Sequence, residues 1–106
     1  MEIKAVKSAF GWKAENYFPI DSTTRITITT MKRSNGQLAT TVTGSRKEGS
    51  MWYYTVLQDF AMVYASTPCQ RVSKLAVEIQ QAQVLKKIET IKFEVIAFYE
   101  QLKETT

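Results

Sequence analysis

Apolar and polar residues follow one period along the first two-thirds of the chain and a different period along the last third. Residues 1–65 are rich in Thr, Ile, Val, Tyr and Trp and are punctuated by Gly11, Pro19 and Gly49, which is typical of strands joined by turns. No Gly or Pro follows Pro68, and the remainder is rich in the helix formers Gln, Lys, Glu, Leu and Ala. The pattern predicts an α+β fold, in which an antiparallel meander sheet of four to six strands precedes a long or broken C-terminal α-helix packed on one face.

The length of the chain predicts one domain. A chain of 106 residues is near the common domain size and can bury one core without disulfides or metals. Within the domain 1–106, the change of period assigns residues 1–66 to the sheet and residues 67–104 to the helical part. The first two strands are predicted at residues 2–8 and 12–20.

A hairpin around Ser34-Asn35-Gly36 is the clearest local feature, because Asn-Gly favours tight turns. A two-residue loop would mix polar and apolar residues on both faces. A three-residue loop pairs Ile28 with Val42 and Lys32 with Leu38, and it separates the aliphatic residues from the polar ones. We therefore predict the three-residue loop. The polar side, which we call the threonine–arginine face, consists of Arg25, Thr27, Thr29, Arg33, Thr41 and Thr43.

The segment Arg46-Lys47-Glu48-Gly49 is predicted to be the next turn, leading into an aromatic-rich stretch. A four-residue loop here would place Trp52 and Tyr54 beside Thr43 and Thr41, on the threonine–arginine face. Residues 51–66 form either one bulged strand or two short strands, because the pattern is ambiguous around Gln58-Asp59.

Two residues compete to begin the helical part. Thr67-Pro68-Cys69-Gln70 matches a helix start, with a Thr cap, Pro at the first helical position and Gln at the third. Ser73 is the alternative cap and would begin the helix six residues later.

The helical period then changes phase near Gln80-Gln81-Ala82-Gln83. The apolar residues before this point share one side of a helix, and those after it share a side roughly 180° away. The earlier set is Val72, Leu75, Ala76, Ile79 and Ala82. One interpretation breaks the helix at the glutamines. The other keeps it continuous, at about 50 Å, so that it overhangs a sheet of about 20–25 Å and its end packs on another subunit. Self-association is expected under either interpretation, through the residues Ile91, Val95, Phe98, Tyr99 and Leu102.

Composition argues against an enzyme. Histidine, the commonest general base and metal ligand, is absent, and Cys69 is the single cysteine. Nucleophiles paired with histidine and Cys/His zinc sites are therefore excluded within one chain. The four glycines form no phosphate-binding loop, and the acidic residues of the sheet region are scattered around turns. We predict a non-enzymatic protein with no metal and no cofactor.

The lone cysteine also fits a reducing compartment, and neither a signal peptide nor a membrane span is expected from the apolar runs. We predict a cytoplasmic protein, belonging to a cell or to a virus or plasmid within it. The net charge is +4, and the basic excess lies entirely in residues 1–71.

A sheet face with cations, hydroxyls and aromatic rings has the chemistry that binds single-stranded DNA or RNA. The candidate nucleic-acid-binding residues are Arg25, Arg33, Arg46, Lys47, Trp52 and Tyr54. Two alternatives remain. The chain is a small viral or plasmid accessory protein that binds and inhibits a host protein through aromatics of its last helix, or it is a structural homo-oligomer, a dimer or larger.

Overall fold

The computed structural model describes residues 3–9, 11–20, 24–48, 51–53, 61–68 and 71–105. Within these ranges the chain forms strands and then helices. The strands are β1 (Val6–Ser8), β2 (Gly11–Pro19), β3 (Thr24–Lys32), β4 (Gln37–Glu48), β5 (Met51–Tyr53) and β6 (Ala61–Pro68). The helices are α1 (Lys74–Leu85) and α2 (Ile88–Thr105).

The strands form one antiparallel sheet, and the helices pack on it. Strands β1 to β5 follow one another as a meander, and β6 also pairs with β4. Residues 37–43 of β4 lie beside β6, whereas residues 46–48 lie beside β5. The α+β fold predicted from the change of period is therefore confirmed.

The β3–β4 hairpin has the predicted register, with Ile28 opposite Val42 and Lys32 opposite Leu38. The Gly36 N–H donates to the Arg33 carbonyl at 3.0 Å, and the Arg33 N–H donates to the Gln37 carbonyl at 2.8 Å. Gly36 has φ +81°, in the left-handed region that glycine enters without steric cost. The three-residue loop is confirmed, because only this loop keeps the aliphatic residues together.

The turn predicted at residues 46–49 is wrong. Strand β4 continues through Glu48, since residues 46–48 find backbone partners in β5, with Lys47 opposite Trp52. The residues opposite Thr41 and Thr43 are Val63 and Ala61 of β6, not the predicted Trp52 and Tyr54. The aromatic-rich stretch contains two separate strands, β5 and β6, and residues 54–60 lie outside the described part.

The helical part begins at the later of the two candidate caps. Ser73 is extended and its hydroxyl accepts from the Ala76 N–H at 3.1 Å. Thr67 and Pro68 belong instead to β6, opposite Leu38 and Gln37. Pairing with the sheet therefore overrides the Thr-Pro signature.

The helix breaks at Lys86-Lys87 rather than at the glutamines. The Lys86 N–H bonds to the Ala82 carbonyl at 3.2 Å, and the Lys87 N–H bonds to the Val84 carbonyl at 2.9 Å, which tightens the last turn of α1. Of the two interpretations left open by the sequence, the broken helix is therefore correct, and the break lies several residues after the glutamines.

Helix α1 packs on the sheet through glutamines. Gln80 and Gln81 are buried, whereas Leu75 and Ile79 are 65% and 48% exposed. The Gln81 amide donates to the Ile28 carbonyl at 2.8 Å and to Asn16 Oδ1 at 2.9 Å. The broken-helix interpretation would turn Leu75 and Ile79 toward the core. Both instead face outward, because polar groups on the sheet bind the glutamines.

The glutamines belong to a buried polar row between two apolar clusters. Thr30 donates to Gln81 Oε1 at 2.6 Å and lies 2.6 Å from the Thr40 hydroxyl, which in turn accepts from the Gln80 amide at 3.1 Å. The larger cluster contains Phe18, Ile26, Ile28, Val42, Val84, Leu85, Ile91 and Val95. The smaller contains Ala5, Ala14, Leu38 and Val77.

Candidate functional site

The side of the sheet opposite the helices carries no described helix, and we call it the open face. It contains the predicted threonines and Arg25 together with a row from β2. The open face includes Lys13, Glu15, Tyr17, Arg25, Thr27, Thr29, Thr41 and Thr43.

Strand alternation explains why these residues share a side. Side chains on one strand alternate between faces, so burial of Ile26 and Ile28 under the helices sends Thr27 and Thr29 to the open face. Thr27 pairs with Thr43, and Thr29 pairs with Thr41. Thr is β-branched and suits a half-buried pleated surface. The result is a row of paired hydroxyls along the middle strands.

Tyr17 and Arg25 form the most distinctive feature of the open face. The Arg25 guanidinium carbon lies 4.7 Å from the centre of the Tyr17 ring. Tyr17 is 53% exposed as a whole residue, so part of its side chain faces solvent. A guanidinium over an aromatic ring is attracted by the ring quadrupole, and the two flat groups order each other.

Glu15 binds the hydroxyl end of Tyr17, whereas Arg25 contacts the ring. Its carboxylate accepts hydrogen bonds from the Tyr17 hydroxyl and from the Thr29 hydroxyl, the latter at 2.8 Å. Partial burial alone would raise the pKa of Glu15, but the hydrogen bonds from Tyr17 and Thr29 and the charges of Lys13 and Arg25 together lower that pKa. The same hydrogen bond to Glu15, with partial burial, raises the pKa of the Tyr17 hydroxyl. Glu15 is therefore an ionised acceptor that fixes the tyrosine.

The hairpin end of the sheet carries a second basic region. Arg33 is exposed in the turn. An open hollow of about 530 Å³ lies there, lined by Met31, Lys32, Arg33, Ser34 and Thr41. Arg25 and Arg33 lie eight residues apart along β3 and its turn, roughly 27 Å at the rise of a strand. The two arginines therefore mark opposite ends of the open face.

The other predicted binding residues are only partly described. The backbone of Arg46 lies opposite Thr24 and Tyr53, and that of Lys47 lies opposite Trp52. The side chains of Arg46, Lys47 and Trp52 lie outside the described part, as does all of Tyr54. Arg25 and Arg33 are thus the two predicted binding residues whose side chains can be placed on this surface.

Tyr17 and Glu15 were not among the predicted site residues, although a signal for them exists in the sequence. The strand predicted over residues 12–20 has apolar residues near period two, among them Ala14 and Phe18. The positions directly beside them must face the opposite side. The same alternation, extended from Ala14 and Phe18 to their neighbours, assigns Glu15 and Tyr17 to the polar side of the sheet.

The residues predicted for self-association occupy different environments. Ile91 and Val95 are buried in the larger core cluster of the same chain. Phe98 is half-buried, and the side chains of Tyr99 and Leu102 lie outside the described part. Their role in an oligomer stays a prediction, and Ile91 and Val95 already pack within the core of their own chain.

Among the described residues, no group of three or more Cys, Asp or Glu side chains is placed to hold a metal ion. No helix of the described part is both long and apolar enough to cross a membrane. Comparison with known proteins found no matching family model, no matching curated protein and no matching solved structure.

Proposed function

We propose that the chain is a non-enzymatic binding protein whose open face takes single-stranded DNA or RNA. The observation that carries the proposal is the pair formed by the half-exposed residue Tyr17 and Arg25, whose guanidinium carbon lies 4.7 Å from the centre of the Tyr17 ring. Single-strand binders combine flat groups on which bases stack with cations that meet phosphates. This pair supplies one of each at the same place.

The surroundings of the pair support the same ligand. Thr27, Thr29, Thr41 and Thr43 are half-buried with hydroxyls along the face, suited to hydrogen bonds with bases and sugars. Lys13 and Arg33 add positive charge on β2 and at the hairpin end. The negative charge of the Glu15 carboxylate reduces the attraction of these cations for phosphate. A face with this balance is expected to bind weakly and to lose affinity steeply with added salt.

Fluorescence anisotropy with a labelled single-stranded 20-mer tests the proposal. Binding is expected at low salt and should weaken as the salt concentration rises, in proportion to the number of phosphates contacted. Tyr17→Leu removes the ring and should weaken binding by about 1–3 kcal/mol, the usual contribution of one stacked base.

Arg33→Ala should weaken binding. It should also make the logarithm of the binding constant depend less steeply on the logarithm of the salt concentration, by about the amount expected for one lost phosphate contact.

Lys87→Ala is the matched control for Arg33→Ala. Both substitutions remove one exposed positive charge, but Lys87 lies in the helical layer, away from the open face. The control should bind like the unmodified protein. Equal losses for the two variants, or a probe that micromolar protein leaves unchanged at low salt, would exclude the open face as the binding site.

A further inference from the structure

The outward side of the helical layer carries large apolar residues. Leu75 and Ile79 of α1 are 65% and 48% exposed, and Phe93 and Ile96 of α2 are 72% and 39% exposed. Large apolar side chains at helical spacing normally face a core. An exposed apolar patch of this kind marks an interaction surface.

The outward residues form one stripe because the helical face continues through the break at Lys86-Lys87. The middle of the side that faces the sheet is a row of buried or half-buried positions alternately four and three residues apart, at 77, 81, 84, 88, 91 and 95. Helix α2 therefore continues the inward face of α1. The outward positions have the same alternate spacing, at 75, 79, 82, 86, 89, 93 and 96, which is the seam spacing of a coiled coil. We call these seven positions the outer stripe.

The outer stripe is complementary to itself when a second copy is laid against it in the antiparallel direction. In one alignment, Ile79 meets Ile96 of the second copy, and the small Ala82 meets the large Phe93. The same alignment brings Lys86 against Glu89 of the second copy. At the two ends Leu75 lies opposite Glu100, where solvent reaches both. Between positions 79 and 96, this register thus matches apolar with apolar, small with large, and positive with negative; the end pair of Leu75 and Glu100 is the exception.

The charged residues at the centre of the stripe are accessible for such a contact. Lys86 is exposed, and the Glu89 side chain is 87% exposed. Within its own chain the Glu89 carboxylate lies 3.9 Å from the Lys92 ammonium. An exposed pair at that distance is weak, so the carboxylate is open to a second cation.

We propose that the outer stripe docks a second copy of this chain, with the helices antiparallel about a two-fold axis near Lys86-Lys87. In this isologous dimer each Lys86 ammonium meets the Glu89 carboxylate of the other copy, so the pair occurs twice. Complementary charges within an apolar seam set the register and orientation of paired helices. The open faces lie on the far sides of the two sheets and take no part in the contact.

Sedimentation equilibrium of the full chain measures the contact directly. At tens of micromolar, the mass is expected to approach twice the 12.1 kDa of one chain. Phe93→Asp should raise the dissociation constant about tenfold or more, because it places a charge against an apolar anchor. Circular dichroism should stay unchanged, since the ring is exposed within one chain. Glu94→Lys, an exposed charge reversal on α2 off the stripe, is the control and should leave the dimer intact.

Charge exchange tests the register. Lys86→Glu alone sets two carboxylates against each other, and Glu89→Lys alone sets two ammonium groups against each other, so each variant should dissociate. An equimolar mixture of the two variants should recover the dimer, because every central pair again joins opposite charges. A monomer at all concentrations, a dimer that tolerates Phe93→Asp, or a mixture that stays dissociated would overturn the proposal.

Discussion

The buried glutamines are the residues on which the contact between sheet and helix depends. Gln81 is fully buried, and its side chain joins Thr30, Asn16 and the Ile28 carbonyl. Both amide hydrogens and the amide oxygen therefore have partners. A buried polar network is stable only when its members are satisfied, so loss of one member leaves others without a partner.

Gln81→Leu is expected to lower the free energy of unfolding by about 1–3 kcal/mol, because it removes the hydrogen bonds that Gln81 makes with Thr30, with Asn16 and with the buried Ile28 carbonyl. Urea denaturation monitored by circular dichroism measures the change. Gln83→Leu alters an exposed residue of the same helix and should stay within about 0.5 kcal/mol of the unmodified protein. Equal stability of the two variants would show that the glutamine contacts contribute little.

Glu15 makes the free energy of unfolding of the protein depend on pH. Its pKa is lowered by the folded state, so its contribution to stability is present above the unfolded pKa of about 4.3 and is lost as the pH falls through the folded pKa. Glu15→Gln should therefore be less stable than the unmodified protein at pH 7, and the gap should narrow toward pH 3. Urea midpoints at the two pH values measure this. A gap that is constant or widens in acid would contradict the assignment.

The elements differ in how far local sequence determines their bounds. The β3–β4 hairpin follows from Asn35-Gly36 and the alternation around it, because the left-handed φ of Gly36 and the pairing of aliphatic residues agree. The end of β4 does not follow locally. Residues 46–48 resemble a turn in composition, yet β5 supplies backbone partners that extend the strand. A distant segment thus decides where the strand ends.

The start of α1 depends on one cap. The Ser73 hydroxyl accepts from the Ala76 N–H, and the first turn contains no acidic residue. Ser73→Ala should cost about 1 kcal/mol of folding free energy, since a helix N–H loses its acceptor. Ser73→Asp keeps the acceptor and adds a charge favourable to the helix N-terminus, so its thermal midpoint should match or exceed that of the unmodified protein. Equal midpoints for Ser73→Ala and the unmodified protein would argue against the cap.

At the scale of the whole molecule, the sheet separates two surfaces of different chemistry. The open face is polar and carries Tyr17 and Arg25, whereas the outer stripe is apolar and carries Phe93. The chain is elongated, with extents of 44 × 26 × 25 Å. A dimer formed through the helices would leave both open faces accessible, and binding of nucleic acid and dimerisation can therefore be measured separately.

The sequence by itself determined the fold class, the hairpin register and the polar character of the threonine–arginine face. These depend on steric alternation and turn geometry, which neighbours along the chain control. The position of Arg25 on this face followed from that register. The alternation along residues 12–20 could also have assigned Tyr17 to the same face. The candidate site could thus be located in outline from local pattern.

Only the tertiary structure decided which side of α1 faces inward. The helical period groups Leu75 and Ile79 on one apolar side of α1, which would suit a contact with the sheet. The part of the sheet that contacts α1, however, carries the Thr30 and Thr40 hydroxyls. Burial against leucine would have left these two hydroxyls with only each other as partners, whereas Gln81 and Gln80 give each of them a further hydrogen bond. The inward face of a helix depends on what lies across from it, and the periodicity of one segment carries no information about that partner.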